Sequence, residues 1–547
     1  MIANLRRLLP CRDDWPLSGQ HLRHDILAGV TVGVVALPLA LAFGVSSGLG
    51  AAAGITTAIV AGAVAAVFGG SRLQVSGPTG AMTVVLVPVV AHYGAAAVVV
   101  VGVLAGVLLI GLALLRVGRF VGFIPTPVIE GFTLGIALII ALQQVPAGLG
   151  VAKPDGERTL GVAMTAVKTF MGQPRAAALG VTAGVVLLML VLPKVFRAVP
   201  ASLVGVVAAT LAVRVLQLDI PVIGTLPARI GTLALNGLPW GQIDILLGPA
   251  LAVAALAAIE SLLSATVADG MSGTQEHEPD RELFGQGLAN MASCLLGGMP
   301  ATGAIARTAV NIRAGGQTRG SALVHALAVA IVVLAMAPLV GMIPLAALAG
   351  VLLVTALRMV EFGSIRAIVR TTRSDALTLM VTASATLLFD LVVAVEVGIA
   401  VAAVLALRHI AQATVLERLP VVPLLEDPES LLHQRVAVYR FDGSLFFGAA
   451  HRFLLELTAV SDVDAVILRL SGVRTLDATG ATLLADVIER LEHRGITVLL
   501  SGASAQHLEL LRRAGVLDRL AHERHVFSDA EDAVAHALSH AARGRMG

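Results

Sequence analysis

Two ionisable side chains stand in stretches that are otherwise almost wholly apolar. Glu260 lies within Leu256-Ala257-Ala258-Ile259-Glu260-Ser261-Leu262-Leu263-Ser264, and Arg307 within Gly297-Gly298-Met299-Pro300-Ala301-Thr302-Gly303-Ala304-Ile305-Ala306-Arg307-Thr308-Ala309. An ionisable group at membrane depth is costly unless it faces a cavity, takes up a proton or has a partner. Glu260 therefore reads either as a proton acceptor coupled to a substrate or as a structural carboxyl bonded to a nearby backbone break. Arg307 reads as positive field beneath an anion, as a cap on backbone carbonyls, or as a partner of Glu260.

Around Arg307 the sequence places a proline just ahead of Thr302-Gly303-Ala304, and Pro78-Thr79-Gly80-Ala81 repeats the pattern much earlier. Proline suits the first turn of a helix, where its missing N–H is not needed. Glycine leaves backbone amides open to close approach by a small ligand. A helix that begins inside a membrane points unpaired N–H groups and a positive dipole end at whatever lies there. Two such starts facing each other make an anion site, formed by the backbone around Thr79, Gly80 and Ala81 and around Thr302, Gly303 and Ala304. Pro38 is expected to break the first apolar run, and Phe43 packs or walls a pocket. Glu130, Gln143 and Gln144 read as interfacial or interhelical hydrogen-bonding groups.

The elements that must position these residues follow from composition. Of 547 residues, 57% are hydrophobic and 14% charged, with a mean hydropathy of +0.88. Repeated apolar runs of spanning length indicate a polytopic membrane protein. The net charge of +2 gives no basis for a nucleic-acid partner, and the cysteines Cys11 and Cys294 do not make a disulfide framework. About fourteen candidate spans emerge, near 25–44, 50–69, 78–92, 96–115, 122–146, 176–195, 201–217, 244–266, 283–297, 302–314, 321–339, 343–360, 374–391 and 394–415. The polar, basic start of the chain lacks the pattern of a cleaved leader. Arginines and lysines fall in alternate short loops (Arg72, Arg116, Arg119, Lys194, Arg313, Arg319, Arg358, Arg366 and Arg370 among them), which places both termini in the cytoplasm. The charged run from His277 to Glu282 reads as a solvated inner loop.

Pro78 follows Pro38 by 40 residues, as Pro300 follows Glu260 by 40. With seven spans in each half, the second half is inverted relative to the first, the architecture of secondary transporters. The expected division is a terminus over 1–24, a first repeat over 25–217, a second over 218–416, a linker over 417–433 and a soluble domain over 434–547. In that last part, strands near Val436–Phe441, Ala465–Leu470 and Thr497–Ser501 alternate with helices near Thr482–Arg494 and Ala505–Ala514, a small α/β domain. The tail histidines His507, His522, His525, His536 and His540 lack a zincin spacing, so no metal is expected, and no cofactor motif is present. No nucleophile–base pair appears in the apolar part, so the chain reads as a carrier rather than an enzyme.

These residues resemble the SulP anion permease family. The likeness rests on Asp25-Ile26-Leu27-Ala28-Gly29, Val75-Ser76-Gly77-Pro78-Thr79, and Ile124-Pro125-Thr126-Pro127-Val128-Ile129-Glu130-Gly131-Phe132. It continues in Val267-Ala268-Asp269-Gly270, Asp280-Arg281-Glu282-Leu283 and Asn311-Ile312-Arg313-Ala314-Gly315. The resemblance implies fourteen spans in a seven-plus-seven inverted repeat with core and gate domains, and a homodimer in the inner membrane. The substrate would lie between the third and tenth spans, beside Pro38, Phe43 and Arg307, with Glu260 at the acidic position associated with proton or sodium coupling. A glutamate there looks more like the proton-coupled members. The soluble part is similar to STAS domains, and Leu476-Asp477-Ala478-Thr479-Gly480 fits their Asp-x-Thr/Ser-Gly loop. Ala478 replaces the serine that is phosphorylated in related domains, leaving Asp477 and Thr479 as regulatory candidates. The implied function is secondary active transport of a small anion, sulfate or bicarbonate, by alternating access in symport with protons. A C4-dicarboxylate symporter, an anion exchanger or a channel are the alternatives.

Overall fold

Long apolar runs become long helices in the computed structural model. It describes residues 7–11, 14–15, 19–119, 125–156, 158–196, 199–226, 233, 237–273, 276–389, 397–398, 400–405, 407, 415–419, 435–445 and 462–543. The chain divides into two units, 1–400 and 401–547.

Among its described residues, the regular structure of the first unit is helical apart from one two-residue strand pair and the isolated Val222–Pro344 bridge. Its elements are α1 (Gly19–Ser46), α2 (Ala51–Phe68), β1 (Ser76–Gly77), α3 (Gly80–Tyr93), α4 (Ala95–Leu114), α5 (Thr126–Gly148), α6 (Thr159–Gly172), α7 (Ala176–Val195) and α8 (Ala201–Val215). There follow α9 (Ile243–Ser272), α10 (Pro279–Leu295), β2 (Thr302–Gly303), α11 (Ile305–Arg313), α12 (Arg319–Gly341), α13 (Leu345–Met359), α14 (Phe362–Thr371) and α15 (Arg373–Leu388). Among the described residues, eight helices are long and apolar enough to cross a membrane.

Helices in lipid associate through small residues that let backbones approach. At Gly29 of α1 an added Cβ would meet the Ser321 carbonyl and the Val324 side chain of α12. At Gly102 of α4 it would meet Cys294 of α10. Asp25 closes the same α1–α12 contact, accepting hydrogen bonds from the Gln317 and Thr318 amides at 2.8 and 3.1 Å and from the Thr318 hydroxyl. That contact accounts for the aspartate at the head of the Asp25–Gly29 motif.

Several expectations need correction. Helix α1 runs unbroken through Pro38; the proline removes one helical hydrogen bond without interrupting the helix. The short spans begin later than expected, at Gly80 and Ile305: β2 occupies Thr302–Gly303 between Pro300 and its helix, while β1 ends at Gly77 and Pro78 and the N-cap Thr79 separate it from Gly80. The run His277–Glu282 is not a solvated loop: α10 begins at Pro279, and Arg281 and Glu282 are buried. Helices α6 and α14 were not anticipated. The candidate span 394–415 lies largely outside the described residues, and its last residue belongs to a strand.

The second unit is a five-stranded sheet in the order β3 (Val415–Leu419), β4 (Val436–Leu445), β5 (Ala465–Leu476), β6 (Thr497–Ser501) and β7 (Val526–Phe527). Only the β3–β4 pairing is antiparallel. The α-helices among its described residues are α16 (Ala478–His493), α17 (Ala505–Arg513) and α18 (Ala530–Arg543). One face of the sheet packs against Ala481, Leu484, Ile488 and Leu491 of α16. The other packs against Ala533, Val534, Ala537 and Ala541 of α18. Burial on both faces explains the near-continuous apolar runs of β5 and β6.

Candidate functional site

The two Pro…Thr-Gly-Ala stretches meet. β1 pairs antiparallel with β2, Ser76 opposite Gly303 and Gly77 opposite Thr302, and the Ala304 amide donates to the Val75 carbonyl at 3.0 Å. Directly beyond this pairing start α3, with Thr79 as its N-cap residue, and α11, with Ala304 as its N-cap residue. Neither N-cap side chain accepts from its helix. The first-turn amides of Gly80, Ala81 and Met82 and of Ile305, Ala306 and Arg307 therefore keep the donor character of open helix starts.

Glu260 of α9 sits against both starts. Its Oε2 accepts from the Thr302 hydroxyl at 2.6 Å and from the Thr79 hydroxyl at 3.1 Å. The next residue, Ser261, accepts from the Gly303 amide at 2.9 Å. Arg307, in the first turn of α11 and 2% exposed, donates through Nη2 to the Pro78 carbonyl, while Nη1 is buried with no partner among the described residues. A Cβ at Gly77 would overlap that Nη1, so glycine there makes room for the guanidinium. Of the three readings of Arg307, capping a carbonyl of the opposite stretch is observed. The unpartnered Nη1 leaves a donor toward the same junction.

Phe43 is 4% exposed and, with Ile140, lies where a Cβ at Gly80 would be. It therefore packs over the α3 start. Pro38 is buried within α1. Gln144 donates to the Ser46 hydroxyl at 3.0 Å, an interhelical bond of the kind expected. In the second unit Asp477 is the N-cap of α16, its Oδ1 accepting from the Gly480 amide at 2.7 Å, and Thr479 is exposed in the first turn.

Non-helical backbone at membrane depth needs partners from the protein, and these are the residues sequence reasoning missed. Asn290 matches the backbone of Ala301 on both sides, donating to its carbonyl and accepting from its amide at 2.9 Å each. Thr57 accepts from the Met299 amide at 2.7 Å, and Ser293 donates to the Met299 carbonyl at 2.8 Å. Gln286 donates to the Ser76 hydroxyl at 2.6 Å and to Glu282 at 2.9 Å. Glu282 in turn accepts from the Gly70 and Ser71 amides. Thr308 accepts from the Val75 amide at 3.1 Å. A signal was present: Glu282, Gln286, Asn290 and Ser293 recur at three- and four-residue spacing, which is one face of a helix.

Comparison with known proteins identifies the family. Residues 22–382 match the model of the sulfate permease family, and residues 427–533 match that of the STAS domain. The chain is 33% identical over 520 residues to Bacillus subtilis YvdB, provisionally named a sulfate transporter, covering 93% of this chain and 96% of that one. It is 32% identical over 535 residues to the bicarbonate transporter BicA of Picosynechococcus, covering 94% of each. In structure it aligns with the murine anion transporter Slc26a9 in its inward-facing state at a TM-score of 0.85 and 19% identity, covering 98% of this chain and 95% of the other. That last likeness is one of fold. These relatives are named as transporters, and the chain is a member of the sulfate permease family, a multi-pass membrane transporter with a STAS domain following its helical part.

Proposed function

We propose that this chain carries a small inorganic anion, sulfate or bicarbonate, across the inner membrane by alternating access and in symport with protons. The observation that carries the reading is the position of Glu260, whose Oε2 holds the hydroxyls of Thr79 and Thr302 at both helix starts. An anion drawn to those starts by the open amides and by Arg307 meets the charge of an ionised Glu260, and like charges at close range repel. A proton on Glu260 removes that repulsion and makes the carboxyl a donor, so anion and proton bind together better than either alone. This is coupling in the thermodynamic sense, a favourable interaction energy between two ligands.

Sulfate and bicarbonate are the anions named for the full-length relatives above. A site built mainly of backbone amides discriminates by size and charge, which suits such ions. The positive residues of alternate short loops support a cytoplasmic location for both termini. The test is uptake of labelled sulfate, bicarbonate and fumarate into proteoliposomes, with and without an inward proton gradient. Saturable, gradient-stimulated uptake of one inorganic anion supports the proposal. Stimulation of fumarate alone transfers the mechanism to a dicarboxylate. Uptake indifferent to the gradient points to exchange or a channel.

A further inference from the structure

Three histidines outside the transport site converge in the second unit. His525 ends a one-turn helix, Glu523–His525, immediately before β7, and His536 and His540 lie one helical turn apart on α18. Their ligating nitrogens all lie within 4.8 Å of one another. The ring centroids are 5.5 Å apart for His525–His536, 5.3 Å for His525–His540 and 5.0 Å for His536–His540. Taking only neighbouring spacings, sequence analysis expected no metal here. The triad instead joins the last residue of a one-turn helix to an i,i+4 pair on the face of another helix.

We propose that His525, His536 and His540 form a binding site for a divalent transition metal of the zinc type. The fit is geometric. Two nitrogens bound at 2.0–2.1 Å to one tetrahedral ion lie about 3.3 Å apart, and the Nε2 atoms of His536 and His540 are 3.3 Å apart. His525 is 3% exposed, and its Nδ1 is buried with no hydrogen-bond partner among the described residues. A buried polar atom so placed is ordinarily satisfied by a partner, and a shared cation supplies one. Three nitrogen ligands leave a fourth tetrahedral position for water or a further ligand.

The support beneath the site is rigid. Ala533, Val534, Ala537 and Ala541 fix α18 to the sheet through Val436, Val438, Ala465, Ile467 and Leu499. Phe527 of β7 packs on the His536 ring with centroids 5.3 Å apart. A bound ion would pin the last helix to the edge strand, whose own pairing with β6 covers only Leu500–Val526 and Ser501–Phe527.

The experiment uses the full chain in detergent, purified without a histidine tag and stripped with a chelator, titrated with zinc by calorimetry and with cobalt by visible absorption. The expected result is one ion per chain, a tetrahedral cobalt spectrum, and a zinc-dependent rise in the unfolding temperature of this unit. His536→Gln combined with His540→Gln, and separately His525→Gln, should weaken zinc binding on the order of 100-fold or more. Loss of an outer-shell partner alone costs about 10–100-fold. His507→Gln, on α17 and outside the triad, should leave it unchanged. Absence of stoichiometric binding, or the same affinity in the triad variants as in the unaltered chain, overturns the proposal. Far-ultraviolet circular dichroism of each variant separates lost ligation from lost folding.

Discussion

The Thr302 hydroxyl donates to Oε2 of Glu260 at 2.6 Å, and Thr79, 181 residues from Glu260 in the chain, donates to the same oxygen. One carboxylate thus ties the starts of two helices that the sequence keeps far apart. Any ligand seated at those starts must come to terms with its charge.

Glu260→Gln tests that charge directly. The amide keeps an oxygen for the two threonine hydroxyls, so folding should be nearly unchanged, while the proton-binding group is gone. Uphill accumulation driven by a proton gradient should vanish, with downhill flux of the same anion retained. Proteoliposome uptake with and without the gradient measures both. Undiminished accumulation would remove Glu260 from the coupling.

Gly77→Ala tests the seat of Arg307. The added methyl would occupy the space of the guanidinium Nη1, so the buried Arg307 side chain, which donates to the Pro78 carbonyl, would have to shift. The expected loss is about 1–3 kcal/mol of stability, typical of overpacking, together with a rise in the substrate concentration for half-maximal uptake. Arg307→Lys should reproduce the uptake defect without the strain, because an ammonium lacks the planar fork that spans Pro78 and the junction. Comparing thermal unfolding with uptake kinetics for the two variants separates packing from field.

Asn290→Leu tests whether the broken stretch before α11 depends on side-chain partners. The substitution preserves bulk but strands both the amide and the carbonyl of Ala301. Buried groups left unmade cost about 1–3 kcal/mol each. A fall in stability of about 2 kcal/mol or more is expected, with loss of uptake. A stable, active variant would show that the stretch is held by its other contacts.

The junction of the two helix starts was legible because proline and glycine mark the local backbone: Pro78-Thr79-Gly80 and Pro300 to Gly303 carry the residue types that favour helix starts. The partners that clothe those starts were not, because Thr57 meets Met299 across 242 residues and no local pattern encodes that meeting. Helix α10 was half-read. Its charged first turn looked like loop, although Pro279 followed by Asp280 and Glu282 is also the signature of a helix beginning. In the second unit, β5 and β6 were legible as apolar runs buried on both faces. β3 was not, since this five-residue edge strand, Val415–Leu419, carries the exposed charges Glu417 and Arg418 on successive residues, which breaks the apolar alternation of a strand. The histidine triad escaped notice because its third member comes from a different element than the other two.

Asp477→Ala tests the loop that resembles a phosphorylation site. Asp477 caps α16 through Gly480, and loss of such a cap costs about 1 kcal/mol. A modest fall in the unfolding temperature of the second unit is expected, with the ranking of transported anions unchanged. A changed ranking would give the loop a part in substrate choice.

Asp14 anchors the start of the chain and supplies a pH test. Arg281 grips it with both nitrogens, at 3.0 and 2.6 Å, the Cys11 amide donates at 2.8 Å, and Arg319 stands 3.6 Å away. Burial works against the charged form, but the Arg281 hydrogen bonds, the Cys11 amide and the charge of Arg319 outweigh it and hold the carboxyl well below the usual carboxylate range. A depressed folded-state pKa contributes stability that is present above the unfolded value of about 3.9 and is lost as pH falls through the folded value. Asp14→Asn leaves two buried arginines without their shared counter-charge and should cost about 3 kcal/mol, as removal of one partner from a buried pair does. The stability difference between the unaltered chain and the variant should therefore hold constant from about pH 7 to about pH 5 and shrink only below that. Thermal unfolding of both proteins across that range measures it. A difference that already narrows between about pH 7 and pH 5 would mean that Asp14 is not held ionised by its arginines.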